Sequence, residues 1–217
     1  MRISRIHYRY CLVLVALALL LIPAPSATQA VGSRAPRTEV QTTSVCQMSP
    51  PYPYSRGTAQ DVVIDGGFDN NCPNWVFGTG AARVSNGVCT NTTTAQLSST
   101  VLRPSFYQDI TVPAASWANP QHADISASIY IDAPANASWY DIFRIGISYQ
   151  SNPSVEVENV AAIQLADPSK QRTCARMTFP VRGDYRGQAI RLKFYATLYT
   201  PGESIRIDDV SYWLYSW

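Results

Sequence analysis

The sequence predicts an all-β protein, an antiparallel β-sandwich of the jelly-roll type. Three observations lead there. Period-two alternation of apolar and polar residues recurs after residue 60, and no helical period competes with it. Clusters of Gly, Pro and Asn, as in "DAPANAS", "SNPS", "ADPSK", "RGDYRG" and "TPGES", separate the alternating stretches. Only 15% of the residues are charged, below the usual quarter, and Ser, Thr, Asn, Tyr and Pro stand in their place, as in extracellular β proteins.

The chain opens with a segment that is not part of the fold. Arg2, Arg5 and Arg9 precede the apolar run "CLVLVALALLLIPA", and small residues lead out to Ala30. This is the layout of a secretory signal peptide over residues 1–30, with cleavage expected after Ala30 or Ala27. The apolar run is shorter than the roughly 20 residues needed to span a bilayer, so no membrane span is expected after cleavage. Residues 31–59 are rich in Pro, Ser and Thr without periodicity and read as an arm or linker. Residues 60–217 read as one domain, long enough to bury a core.

Within that domain a β-branched run ends in "IDGGFDNNCPNW", where a double glycine permits close approach of backbone and Phe68 is expected to pin the strand end into the core. "ADISASIYID" (123–132) places Ile125, Ala127, Ile129 and Ile131 on one face and Tyr130 on the other. "IFRIGISYQ" (142–150) sets Phe143, Ile145 and Ile147 against Arg144, Gly146 and Ser148. "AIRLKFYATLY" (189–199) sets Ile190, Leu192, Phe194 and Ala196 against Arg191, Lys193, Tyr195, Thr197 and Tyr199. In "SIRIDDVSYWLY" the phase slips at Asp208-Asp209, because Ile205 and Ile207 share one face whereas Val210, Tyr212 and Leu214 share the other. A one-residue slip of this kind predicts a β-bulge. Two adjacent acids at the slip call for a counter-charge, and calcium is the simplest candidate, since it takes carboxylate and backbone oxygens.

Beyond Cys11 in the signal, four cysteines remain: Cys46, Cys72, Cys89 and Cys174. An even number in an exported chain reads as two disulfides, with three pairings open. The preferred pairing joins Cys72 to Cys89 around Trp75 and ties Cys46 to Cys174. No CxxC spacing supports zinc. The formal charge of +2 includes the three signal arginines, so the exported chain is near neutral or slightly acidic. No basic stripe exists to neutralise phosphates, which argues against nucleic acid.

Three stretches resemble bacterial carbohydrate-binding modules. "VIDGGFDNNCPNW" is similar to their "N-G-G-F-E … W" opening. "FYQDITVP" (106–113) is similar to their "Y-Q-x-V-x-V-P" strand, and residues 184–212 to their closing "G-Q-x-V-x-L-x-F-x-A … D-D-V-S". The resemblance is to the jelly rolls related to cellulose- and xylan-binding modules, in the galactose-binding-like superfamily, and covers residues 60 to 215. It implies a secreted, non-catalytic module that recognises a polysaccharide. It also implies a structural calcium held by Asp69 and Asp208, with Asp209 as the alternate. The family's usual Glu is here Asp69, one methylene shorter.

Sugar recognition needs aromatic rings offered to C–H faces and polar groups for the hydroxyls. The candidate ligand-binding residues are Tyr195, Tyr199, Tyr130 and Trp139, with Arg144, Arg191 and Gln108 supplying hydrogen bonds. The competing reading is an extracellular adhesion or structural domain that binds protein partners. An enzyme is the weakest reading. His122 is the only histidine after the signal and has no GxSxG motif to serve. Glu156 and Glu158, two apart on one strand face, are the sort of pair a glycosidase uses, but a lone ExE in a strand is unspecific.

Overall fold

A computed structural model of the chain describes residues 46–54, 57–85, 89 and 93–216. Residues 1–30, expected to be a signal peptide, and residues 31–45 of the expected arm lie outside the described residues, as does Trp217. Twelve strands run in chain order: β1 (Tyr52–Tyr54), β2 (Gly57–Asp61), β3 (Trp75–Phe77), β4 (Ala81–Ser85), β5 (Thr93–Ser98), β6 (Ser105–Thr111), β7 (Ala123–Asp132), β8 (Ile142–Tyr149), β9 (Asn152–Gln164), β10 (Ala175–Val181), β11 (Ala189–Thr197) and β12 (Ser204–Tyr215). Among the described residues the only helical turn is the 3₁₀ turn Pro168–Lys170.

The strands form two antiparallel sheets packed as a sandwich. The five-stranded sheet has the order β3-β6-β11-β8-β9. The seven-stranded sheet is organised around β12. One edge of β12 pairs with β7, which carries β10; the other pairs with β5 in its first half and with β2 at its end. β4 and β1 complete that sheet beside β5 and β2.

The alternation seen in the sequence is the burial pattern. Ile125, Ile129, Ile131, Ile205 and Ile207 face inward from the larger sheet, and Phe143, Ile145, Ile147, Ile190, Leu192 and Phe194 face them from the smaller. Each such side chain contributes about 1.5–3 kcal/mol by leaving water. Aromatic rings fill one end of the core. Phe106 stacks on Phe194 with centroids 5.0 Å apart, and Trp75 and Phe68 meet Phe106 edge-on at 5.5 and 5.9 Å. The predicted bulge is present, as a register shift between Asp208 and Ser211, with Asp209 at φ +48°.

The opening loop explains "IDGGFDNNC". Asp65, rather than Asp69, organises it. Its carboxylate accepts from the Asn70 N–H at 3.0 Å, the Cys72 N–H at 3.2 Å and Arg83 at 3.2 Å, while its carbonyl accepts from Trp75 Nε1 at 3.0 Å. Phe68 adopts φ +58°, unusual for a bulky residue, and is held there by a fully buried ring. A Cβ at Gly66 would collide with the Val210 carbonyl, and the Val210 N–H donates to Gly66 O at 3.0 Å, so the close approach expected at the double glycine occurs at Gly66.

Two expectations are corrected here. The disulfides join Cys46 to Cys72 and Cys89 to Cys174, not Cys72 to Cys89 and Cys46 to Cys174. The segment after Cys46 runs beside β2, where Gln60 Nε2 donates to Ser49 O, and this brings Cys46 to the opening loop. Cys89 lies between β4 and β5, and Cys174 precedes β10. Secondly, residues 52–59, read as arm, contribute β1 and most of β2. Tyr52 meets Trp213 edge-on at 5.7 Å, and Ala59 lies opposite Tyr215. Strands this short carry too little alternation to be seen in sequence.

Candidate functional site

The outer face of the five-stranded sheet carries a set of aromatic and charged side chains. It exists because β11 buries Ile190, Leu192, Phe194 and Ala196 and so must present Arg191, Lys193, Tyr195 and Thr197. The register fixes their neighbours. Tyr195 lies opposite Arg144 of β8 and Ser105 of β6; Lys193 lies opposite Gly146 and Tyr107; Arg191 lies opposite Ser148 and Asp109.

A cleft of about 260 Å³ opens on this face, lined by Gly146, Ser148, Pro153, Ser154, Glu156, Lys193 and Tyr195 among others. Glycine makes the space. A Cβ at position 146 would collide with the Glu156 carboxylate, which lies across the strand. Glu156 accepts from Tyr195 Oη at 2.6 Å, which fixes the ring. Burial, then the Glu156 hydrogen bond and charge, push the Tyr195 phenol well above its ordinary range, so it stays a donor. Lys193 Nζ lies 5.2 Å from the centre of the Tyr195 ring. With the Asn159 amide turned so that its oxygen faces Arg144, Arg144 Nη1 donates to it at 3.0 Å. Arg191 is held by two hydrogen bonds to Asp109, at 2.8 and 2.9 Å, and its guanidinium lies 3.6 Å over the Tyr107 ring.

The face continues past the strand ends into two loops. Trp139, Tyr140 and Tyr199 stand there 65, 75 and 57% exposed. One buried carboxylate joins the loops: Asp141 accepts from the Ser138 N–H, the Tyr199 N–H and Thr200 Oγ1.

The predicted ligand set therefore divides. Tyr195, Arg144 and Arg191 share the face, and Tyr199 and Trp139 stand at its loop end. Tyr130 lies on the seven-stranded sheet, opposite Arg206, and so away from Tyr195. Gln108 is fully buried and staples Ile64, donating to its carbonyl at 2.8 Å and accepting from its N–H at 2.9 Å. The outward residue beside it is Tyr107, which the parity of Phe106 and Ile110 could have identified. Lys193, Gly146 and Glu156 also belong to the cleft.

The remaining candidates resolve separately. Glu156 and Glu158 do not share a face. A register shift sets Glu156 opposite the outward Ser148 but Glu158 opposite the inward Ile147. Glu158 instead accepts from the Arg182 and Gly183 N–H groups and from Tyr185 Oη. Of the expected calcium ligands, Asp69 is exposed and Asp208 fully buried, and among the described residues no three Asp, Glu, His or Cys side chains gather in one cluster. The counter-charge expected at the slip comes from Arg176, which lies 4.0 Å from Asp209 and donates to its carbonyl at 3.0 Å.

No family model matches the chain, and no curated protein matches it. Solved structures of similar fold exist. One is a family 61 carbohydrate-binding module in complex with β-1,4-galactotriose, 10% identical, covering 70% of this chain and 97% of that one, with a TM-score of 0.48. Another is the K3 cleaved adhesin domain of Lys-gingipain from Porphyromonas gingivalis, 14% identical, covering 71% and 98%, with a TM-score of 0.48. A third is a cyclase from Fischerella sp. TAU, 12% identical, covering 73% and 98%, with a TM-score of 0.47. Fold alone does not give function, so function is argued from the site.

Proposed function

We propose that the protein is a secreted, non-catalytic module that binds a polysaccharide along the outer face of the five-stranded sheet. The observation that carries this is the cleft over Gly146, where an immobilised tyrosine ring is surrounded by a carboxylate, an ammonium and a guanidinium. The Tyr195 ring offers an apolar surface to sugar C–H groups, while Glu156, Lys193 and Arg144 offer partners to hydroxyls. From Lys193 to Tyr199 the backbone advances about 20 Å at the ordinary strand rise, room for several sugar units in a row. Trp139, Tyr140 and Tyr199 then extend the platform at the loop end. Two disulfides support export to an oxidising compartment.

The test is a binding screen of the secreted protein against soluble and insoluble polysaccharides, beside a Tyr195→Ala/Tyr199→Ala variant. Binding by the parent, lost in a folded variant, supports the proposal. Absence of binding to every polysaccharide overturns it and favours a protein-binding adhesion domain, for which the three exposed loop aromatics would be the contact.

A further inference from the structure

Glu203 is the polar side chain least accounted for by the site as described. It lies in the turn before β12 and is 1% exposed. No donor with hydrogen-bond geometry reaches either of its carboxylate oxygens. The groups that act on its charge are the neighbouring Asp141 carboxylate and, more weakly, the Thr200 backbone N–H, which falls short of full hydrogen-bond geometry.

Two ionised carboxylates in buried contact repel strongly, so one of them holds a proton. The hydrogen-bond inventory decides which. An ionised carboxylate accepts about four hydrogen bonds. Asp141 already takes three, from the Ser138 N–H, the Tyr199 N–H and Thr200 Oγ1, and so has one position left for a fourth donor. Burial works against its charge, but the bonds from Thr200, Tyr199 and Ser138 outweigh burial and hold it below the usual carboxylate range. Glu203 has nothing comparable. Its burial, and then the Asp141 charge, push it up to about 8.

We propose that Glu203 is protonated and donates to Asp141, that this shared proton clasps the loop bearing Trp139 and Tyr140 to the turn bearing Tyr199, and that losing it loosens this end of the site. The consequence for ligand rests on the polysaccharide-binding reading; the clasp itself does not. The other charged groups on the strands beside Glu203 are Asp132 and Arg206. From β7, Asp132 faces Ser204 and pairs with Arg172 at 3.5 Å. Along β12, Arg206 lies between Gln96 and Tyr130, and from β5 the neighbours are Gln96 and Ser98, which carry no charge. None of these is among the groups that shift Glu203.

The sign follows from the raised value. A carboxyl whose folded pKa lies above its unfolded one stabilises the fold fully below the unfolded value of 4.5, and that contribution disappears as pH rises through about 8. Burial pushes Asp61 up to about 6, which lies below the window above pH 7 where Glu203 changes.

The experiment has two readouts on the intact secreted protein and its Glu203→Gln variant. Carbon-13 NMR follows the Glu203 side-chain carboxyl from pH 4 to 9. Affinity for a polysaccharide that binds in the screen above is measured at pH 6.5 and at pH 9. The clasp predicts a Glu203 midpoint near 8 and an apparent affinity up to about tenfold weaker at pH 9, because only the clasped fraction binds. In Glu203→Gln the new side-chain amide donates to Asp141 with no proton to lose, so the variant should bind alike at both values. A Glu203 midpoint in the ordinary carboxylate range overturns the clasp whatever the binding shows. A midpoint near 8 with parental affinity flat across pH overturns its link to the loop end. A midpoint near 8 in a protein that binds no polysaccharide leaves the clasp standing and removes the glycan reading instead.

Discussion

Replacing Gly146 by alanine separates the cleft from the fold. The residue lies in β8 with no left-handed backbone, so alanine meets no conformational barrier there. Its Cβ would occupy the place of the Glu156 carboxylate, the free end of a flexible side chain, which can swing aside. The Tyr195–Glu156 hydrogen bond of 2.6 Å is then lost. A hydrogen bond to a charged acceptor is worth about 1.5–3 kcal/mol, reduced to about 1 where solvent screens it. Against this, removing glycine from a strand gains about 0.5–1 kcal/mol. The two nearly cancel, so the melting temperature should move by less than about 4 °C. Binding has no such offset. The ligand loses the carboxylate and the fixed ring together, so affinity should fall roughly ten- to hundredfold. Calorimetric melting and affinity electrophoresis on the same preparation read both quantities. Unchanged affinity would refute the placement of ligand over Gly146. A fall in melting temperature beyond about 10 °C would refute the claim that Glu156 is easily displaced.

Asp65→Ala strips the opening loop of an acceptor that is 1% exposed and leaves Arg83 without its charge partner, which should cost about 3–5 kcal/mol and lower the melting temperature by roughly 10 °C. Non-reducing proteolysis with mass spectrometry should recover peptides linked as Cys46–Cys72 and Cys89–Cys174, and any Cys72–Cys89 peptide would contradict the fold at the opening loop. Removing the second bridge by Cys89→Ser/Cys174→Ser frees a separation of 85 residues and should destabilise by about 4–5 kcal/mol on the chain-entropy account, measured by denaturant unfolding. If Asp69 and Asp208 share a calcium ion, chelator should lower the melting temperature and added calcium restore it; coincident melts would overturn that site.

The strands that build the site were readable because each buries one face and wets the other. β7, β8 and β11 follow from alternation alone, and the slip at Asp208-Asp209 announced its bulge. What alternation leaves undetermined is which sheet a strand joins, and Tyr130 was misplaced for that reason. Gln108 was misread as a surface group although it shares parity with Phe106 and Ile110. A buried glutamine there answers a need arising elsewhere, since the Ile64 backbone has run past the end of β2 and still requires partners. The Glu156–Glu158 pair looked one-sided because the bulges of β9 lie in the pairing with β8 rather than in composition. Disulfide pairing and the Asp141–Glu203 contact join residues far apart in sequence, and no local pattern encodes them.

The position of β12 between β2, β5 and β7 has a consequence for how the protein comes into being. Until residues 204–215 are in place, the larger sheet is three separate ribbons, β1-β2, β4-β5 and β7-β10, none of which can bury its apolar face on its own. The closing contacts join Asp61 to Trp213 and Ala95 to Ile207, so loop closure over much of the domain must precede them. Such a topology folds slowly, in milliseconds to seconds. A chain of this kind commits to its structure only once β12 is in place.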